Sequence, residues 1–189
     1  MHPTLAALTL VLACTLPACD SETVGADLQG VASVIDGDTI EIHGARIRLN
    51  GIDAPESGQL CQDPRGTAWR CGQQASLALS DRIGRQVVSC QETDIDRYGR
   101  SVADCFAGGE NLNRWMVREG WAVAYRQYST AYVAAEEHAR TGQRGIWEGR
   151  FDMPWDWRAA RRSGQKAAPP MQRLQQLAGQ NCSCNPRRT

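Results

Sequence analysis

The 189-residue chain lacks an apolar run long enough to cross a bilayer; its N-terminal run, Leu5 to Leu16, has twelve residues, where about 20 are needed. It has only three histidines, His2, His43 and His138, all isolated, and no Cys-x-x-Cys pair. That excludes the usual histidine–cysteine zinc sites. It has no internal repeat and no net charge, with 21 basic and 21 acidic residues, so the chain as a whole is no polycation. Nor does any Asp or Glu follow Asp156, whereas Arg158, Arg161, Arg162, Lys166, Arg173, Arg187 and Arg188 do. The tail therefore carries +7 and the body, with 14 basic against 21 acidic residues, −7. An acidic body does not attract polyanions through its bulk field, so any such binding must be local. The tail reads as a solvated, flexible end. What is present, 42% hydrophobic and 22% charged residues, suits one folded domain with tails.

After the apolar run come Leu16-Pro17-Ala18-Cys19 and then Asp20, Ser21 and Glu22. This resembles a bacterial lipoprotein signal with Cys19 as the lipidated residue; Val11 to Cys14 is a rival box, and an ordinary cleaved secretory peptide stays open. Either way the chain is expected to be exported, to the periplasm or to a membrane-anchored place in the cell envelope. The remaining cysteines, Cys61, Cys71, Cys90, Cys105, Cys182 and Cys184, are even in number and read as disulfides in an oxidising compartment. Cys61 and Cys71 would close a short loop. Cys182 and Cys184 could close on each other or remain reactive.

Alternation predicts strands over Gly30 to Val34, Thr39 to His43 and Arg46 to Gly51, with Ile40, Ile42, Ile47 and Leu49 inward and Glu41, His43, Arg46 and Arg48 outward. Helical spacing covers Thr67 to Ile83, with Ala75, Leu77, Ala78, Leu79 and Ile83 as core positions. Strands at Gln86 to Gln91 and Ser101 to Phe106 flank Asp96-Arg97-Tyr98-Gly99-Arg100. Helices follow at Leu112 to Glu119 and Thr130 to Arg140. Regular structure is expected to thin out from Pro154, apart from a short amphipathic helix at Met171 to Ala178. The sum is a small, mostly antiparallel β-barrel of five strands with about three packed helices, an α+β fold. Its expected bounds are a signal segment 1–19, a linker 20–29, a domain 30–157 and a basic tail 158–189. Trp155-Asp156-Trp157-Arg158 is expected to pack the terminal segment against the domain.

Folding the first hairpin about Gly44-Ala45 pairs Ile40 with Leu49 and Ile42 with Ile47, and sets Arg48 opposite Glu41 for a cross-strand ion pair. The same register brings Asp53 opposite Asp36 and beside Asp38. Three carboxylates at one end of a hairpin repel one another unless a cation or protons compensate. Oxygen ligands without His or Cys favour Ca²⁺ or Mg²⁺. Pro55 keeps Ala54 extended and sends Glu56 off at a defined angle. In the second hairpin Cys90 faces Cys105 if the turn centres between Arg97 and Tyr98, which suits a disulfide.

Val34-Ile35-Asp36-Gly37-Asp38-Thr39, Arg48-Leu49-Asn50-Gly51-Ile52-Asp53-Ala54-Pro55-Glu56 and Asp96-Arg97-Tyr98-Gly99-Arg100, in this order, resemble the signature segments of the staphylococcal nuclease-like thermonucleases. The likeness runs from about Val31 to Trp147 and includes Gly120-Trp121-Ala122 and Gly145-Ile146-Trp147. It implies an OB-type barrel and a calcium-dependent endonuclease acting on phosphodiester bonds of DNA and RNA. By match, Asp38 and Asp53 would be Ca²⁺ ligands with the Ala54 backbone carbonyl, and Asp36 would stand behind them. Arg48 and Arg100 would hold the scissile phosphate, and Glu56 would take a proton from water or orient it. Arg97, Tyr98, Tyr125 and Tyr128 would bind the nucleotide. The expected partners are single-stranded or denatured DNA, RNA and, through Cys19, a membrane, with the protein a monomer. The other reading is a catalytically silent OB-fold module of the envelope that binds nucleic acid or protein.

Overall fold

The computed structural model describes residues 28–164. Strand β1 (Gln29–Asp36) leads through a turn into β2 (Thr39–Ile42) and β3 (Ala45–Leu49). The short strands β4 (Ile52–Asp53), β5 (Cys61–Gln62) and β6 (Ala68–Trp69) precede α1 (Cys71–Ile83). Then come β7 (Val87–Ile95), β8 (Ser101–Ala107), β9 (Glu110–Asn111), α2 (Leu112–Arg118), β10 (Val123–Ala124), α3 (Val133–Thr141), a 3₁₀ turn (Gly145–Glu148) and α4 (Pro154–Arg162). The order β3-β2-β1-β7-β8 closes on itself because β3 also pairs with β8 in parallel. The result is a five-stranded mixed barrel with four α-helices among the described residues. None of these helices is long and apolar enough to cross a membrane.

The barrel interior follows from strand alternation. Ile40, Ile42, Ile47 and Leu49 are all buried, packed with Val88, Ala103, Cys105 and the inner faces of α1 and α2. In α1, Ala75, Leu79 and Ile83 are buried, but Leu77 faces outward. That helix begins at Cys71 instead of Thr67, because Ala68 and Trp69 pair with Gln62 and Cys61 as a two-stranded ribbon. The Cys61–Cys71 disulfide closes this ribbon with 5.6 Å between Cα atoms. A second cluster of Cys61, Cys71, Val123 and Ile146 is covered by Trp69, Trp147, Phe151, Met153 and Trp155.

The first hairpin turns one residue earlier than expected. His43 and Gly44 take positive φ of 51° and 80°, the conformation that a two-residue hairpin turn needs at both central positions. Ile40 therefore pairs with Ile47, Ile42 with Ala45, Glu41 with Arg46 and Thr39 with Arg48. Side chains repeat every two residues along a strand, and the register differs by two, so every side chain keeps its face while changing its partner. Glu41 pairs with Arg46 at 3.7 Å, not with Arg48. Asp53 does not lie across from Asp36; β4 pairs with β10, where Asp53 meets Val123.

In the second hairpin Cys90 faces Cys105 and the two are bonded, with 4.1 Å between Cα atoms. An irregularity between Glu92 and Asp94 adds one residue to β7. The turn therefore centres on Tyr98, half a residue beyond the expected point. From Pro154 the chain forms α4, with proline in the first turn where its missing N–H costs nothing. Arg158, Arg161 and Arg162 thus belong to a docked helix and not to an irregular tail. Cys19, Cys182, Cys184 and the helix expected at Met171 to Ala178 lie outside the described residues.

Candidate active site

The turn after β1 and the end of β3 converge on a cluster of carboxylates. Asp36 Oδ1 accepts the Asp38 backbone N–H at 3.1 Å, so the Asp-Gly-Asp turn closes on its own first residue. Asp38, 5% exposed, accepts from Thr39 Oγ1 at 3.1 Å and from the Ala54 N–H at 3.2 Å. Asp53 is fully buried. Freed from Glu41 by the register, Arg48 reaches both: Nη1 donates to Asp38 Oδ1 and Nη2 to Asp53 Oδ1, each at 3.1 Å.

A second guanidinium arrives from α4. Arg158 Nη1 lies 2.9 Å from Asp53 Oδ1 and 2.8 Å from Glu56 Oε1, and Nη2 lies 2.8 Å from Asp53 Oδ2. The Glu56 loop is fixed by its backbone. Fully buried Gln59 accepts the Glu56 N–H at 3.3 Å and donates to the Asp152 carbonyl at 2.6 Å, which ties the loop to the segment leading into α4. Gly72 in the first turn of α1 lies so close that a Cβ there would come within 1.8 Å of the Glu56 carbonyl oxygen.

Three carboxylates (Asp38, Asp53 and Glu56) thus share two guanidiniums, with Asp36 behind them on the Asp38 backbone, so the carboxylates outnumber the guanidiniums that hold them. The ionisation pattern agrees. Burial pushes the Asp38 carboxyl up to about 6, against the pull of Arg48 and with a push from Asp36. Burial also raises Asp53, and the negative charge of Asp38 adds to it, despite the two arginines. Burial disfavours the charged form of Arg48, but Asp38 and Asp53 outweigh that and hold it above its ordinary value. Arg158 is likewise raised against burial by Asp53 and Glu56.

A stability prediction follows from Asp38. Its folded pKa lies above the unfolded value of about 4, so the folded, metal-free protein holds this proton more tightly than the unfolded chain does. The stabilisation is complete below about pH 4 and is lost as pH rises through about 6, on the order of 2–3 kcal/mol in all. In EDTA, Asp38→Asn should therefore gain stability relative to the wild type between pH 4 and 7. Urea denaturation at each pH measures this, and a pH-independent difference would contradict it.

The remaining expected residues lie on neighbouring elements. In the parallel β3–β8 pair Ile47 meets Ser101 and Arg48 meets Val102, and Arg100 stands in the turn just before β8. Arg100 is held at the turn by Asp96, which accepts its Nε at 2.7 Å and its backbone N–H at 3.0 Å. Tyr98, 69% exposed, has the Arg97 guanidinium 4.8 Å and the Arg100 guanidinium 5.6 Å from its ring centroid. Tyr125 stands edge-on to Tyr128 at 4.8 Å and stacks on Trp155 of α4 at 5.3 Å. Buried Glu136 of α3 braces both flanks of Tyr125, accepting from the Ala124 N–H at 3.0 Å and from Arg126.

Comparison with known proteins decides the family. A family model described as "Staphylococcal nuclease homologue" matches residues 46–149. The chain belongs to the staphylococcal nuclease family. It is 37% identical over 179 residues to a micrococcal nuclease of Shigella flexneri, covering 85% of this chain and 97% of that one. An uncharacterized endonuclease of Escherichia coli O157:H7 is 36% identical over 142 residues, covering 70% and 86%. A succinoglycan biosynthesis protein, ExoI, of Rhizobium meliloti (strain 1021) is 44% identical over 121 residues, covering 62% of this chain and 63% of that protein, so the chain spans less than two thirds of its length. As a member of this family the chain is a phosphodiesterase of the nuclease type, and nucleic acid is its substrate class. The matched span of the staphylococcal nuclease family contains Arg48, Asp53, Glu56 and Arg100 but begins after Asp38 and ends before Arg158.

Sequence reasoning missed Arg158, Gln59 and Glu136. Arg158 joins Asp53 and Glu56 across more than a hundred residues. Its only local signal is the run of aromatics around it.

Proposed function

We propose that the protein is a calcium-dependent endonuclease cleaving single-stranded or denatured DNA and RNA by in-line attack of water on the phosphodiester. The observation that carries this reading is the buried Asp38–Arg48–Asp53 arrangement with its surplus of negative charge. Among the described residues no three or more His, Cys, Asp or Glu side chains are already drawn together as a metal-binding set; guanidiniums hold the carboxylates instead. The donor chemistry nevertheless fits a hard divalent ion. Asp38 and Asp53 would supply carboxylate oxygens and Ala54 its carbonyl, with Asp36 holding the turn behind them.

A bound calcium ion would offset the excess charge, polarise a phosphoryl oxygen and lower the pKa of a bound water. Arg48, once shared between cation and substrate, would turn a guanidinium edge to the phosphate, and Arg100, from the turn before β8, would approach it too. Two such donors stabilise the charge that grows on the equatorial oxygens in the transition state. Glu56 would accept the proton of the attacking water or align it. Tyr98, Tyr125 and Tyr128, with Arg97, would receive the base and sugar through ring faces that suit any base. None of these contacts needs a 2′-hydroxyl, so both nucleic acids fit.

The reading extends to location. The two disulfides of the domain support an oxidising compartment. With the N-terminal pattern they favour export, with Cys19 lipidated and the enzyme held at the cell envelope. Digestion of heat-denatured DNA and of RNA, each with calcium or with EDTA, tests the function. Release of nucleotides from both in calcium is expected. Binding of single strands without turnover would favour the silent module.

A further inference from the structure

Arg158 is the feature of the cluster that neither the motifs nor the matched family span contains. Its guanidinium covers both oxygens of Asp53, and Oδ1 of the same carboxylate also accepts from Arg48. A carboxylate oxygen has two lone pairs, so Oδ1 is fully used and Oδ2 half used. A divalent ion can reach Asp53 in this arrangement only through the one lone pair left on Oδ2, against the charge of the guanidinium bonded there, and gains full access when a guanidinium withdraws. Arg48 cannot clear the site by keeping its other partner, since that partner is Asp38, the second proposed ligand. Arg158 has Glu56 as a second partner 2.8 Å away, so its side chain can release Asp53 and stay paired.

The helix beneath it need not move. Trp155 stacks on Tyr125, Gln59 binds the Asp152 carbonyl just before the helix, and the Trp157 ring lies beside Gly58. These contacts anchor α4 at points other than Arg158.

We infer that Arg158 is a positioning residue that holds Asp53 and Glu56 in the metal-free enzyme and competes with the divalent cation for Asp53, yielding it on binding and retaining Glu56. The inference rests on the reading of Asp38 and Asp53 as cation ligands. Any group that stabilises only the metal-free state weakens metal affinity by the same factor, through linkage.

Calorimetric titration of calcium chloride into the oxidised full chain tests it. Arg158→Gln should bind calcium about tenfold more tightly than the wild type, a typical coupling between competing ligands, and should melt at a lower temperature in EDTA. Arg161→Gln removes the same charge from the same helix away from the carboxylates and should leave the affinity unchanged. Arg158→Lys, whose ammonium cannot span both oxygens of Asp53, should tighten binding to a smaller extent, and it serves as the comparison if Arg158→Gln does not fold without metal. Unchanged or weaker affinity in the Arg158 variants would overturn the inference, as would equal tightening in Arg161→Gln. Calcium binding that is lost in Asp53→Asn but indifferent to Arg158 would overturn the inference alone. A wild type that binds no calcium, or an Asp53→Asn variant that binds it undiminished, would overturn the metal reading as well.

Discussion

Arg48→Ala is expected to lower calcium-dependent nucleotide release by about 10²–10³-fold, the usual loss for one donor aimed at transition-state charge. The expected loss lies in turnover more than in substrate affinity, because the donor matters most where charge grows on the phosphorus oxygens. The same substitution acts on the folded state. Without metal it removes the group shared by Asp38 and Asp53 and leaves buried carboxylates less compensated, at a cost of about 3–5 kcal/mol for a buried pair. Calcium should restore part of that stability. Melting curves in EDTA and in calcium, run beside single-turnover assays, separate the two effects. A folded, calcium-saturated variant that turns over like the wild type would remove Arg48 from the reaction.

The second large effect is on stability. Replacing Cys90 and Cys105 together by alanine should cost about 3 kcal/mol, the chain-entropy value for a loop of roughly 15 residues; the bonded residues are 15 apart. Alanine variants are needed because a reductant would also open Cys61–Cys71. Activity at low temperature should fall far less than stability. Asp96 holds Arg100 through both backbone and side chain, and β7 and β8 stay paired from Val88 to Ile95. Urea denaturation of the double variant measures the loss. A midpoint within error of the wild type would show that the bridge adds nothing to the ladder.

How far the sequence could be read depended on the range of each interaction. The inward set Ile40, Ile42, Ile47 and Leu49 was legible because alternation fixes faces, and a two-residue register difference leaves faces intact. The partners were not legible, since they depend on whether His43 or Ala45 shares the turn with Gly44. A histidine with positive φ is uncommon enough to be passed over. The Cys90–Cys105 pairing survived the extra residue in β7 because that residue lies on the turn side of the bridge. The start of α1 was misplaced because Ala68 and Trp69 suit a helix locally and are drawn into a ribbon by Cys61 and Gln62. Arg158 was out of reach for a different reason. Its partners lie 102 and 105 residues away, and the aromatics beside it point to packing of the segment without marking a contact with carboxylates.

The proposed function requires a divalent cation at the carboxylates of Asp38 and Asp53 before the phosphodiester is attacked. The most direct measurement is release of acid-soluble nucleotides from heat-denatured DNA by the oxidised protein, in calcium and in EDTA. Release in calcium that stops on chelation and returns when calcium is restored is the predicted result. Equal release in EDTA, or none with any divalent ion from a sample that is folded, would contradict it.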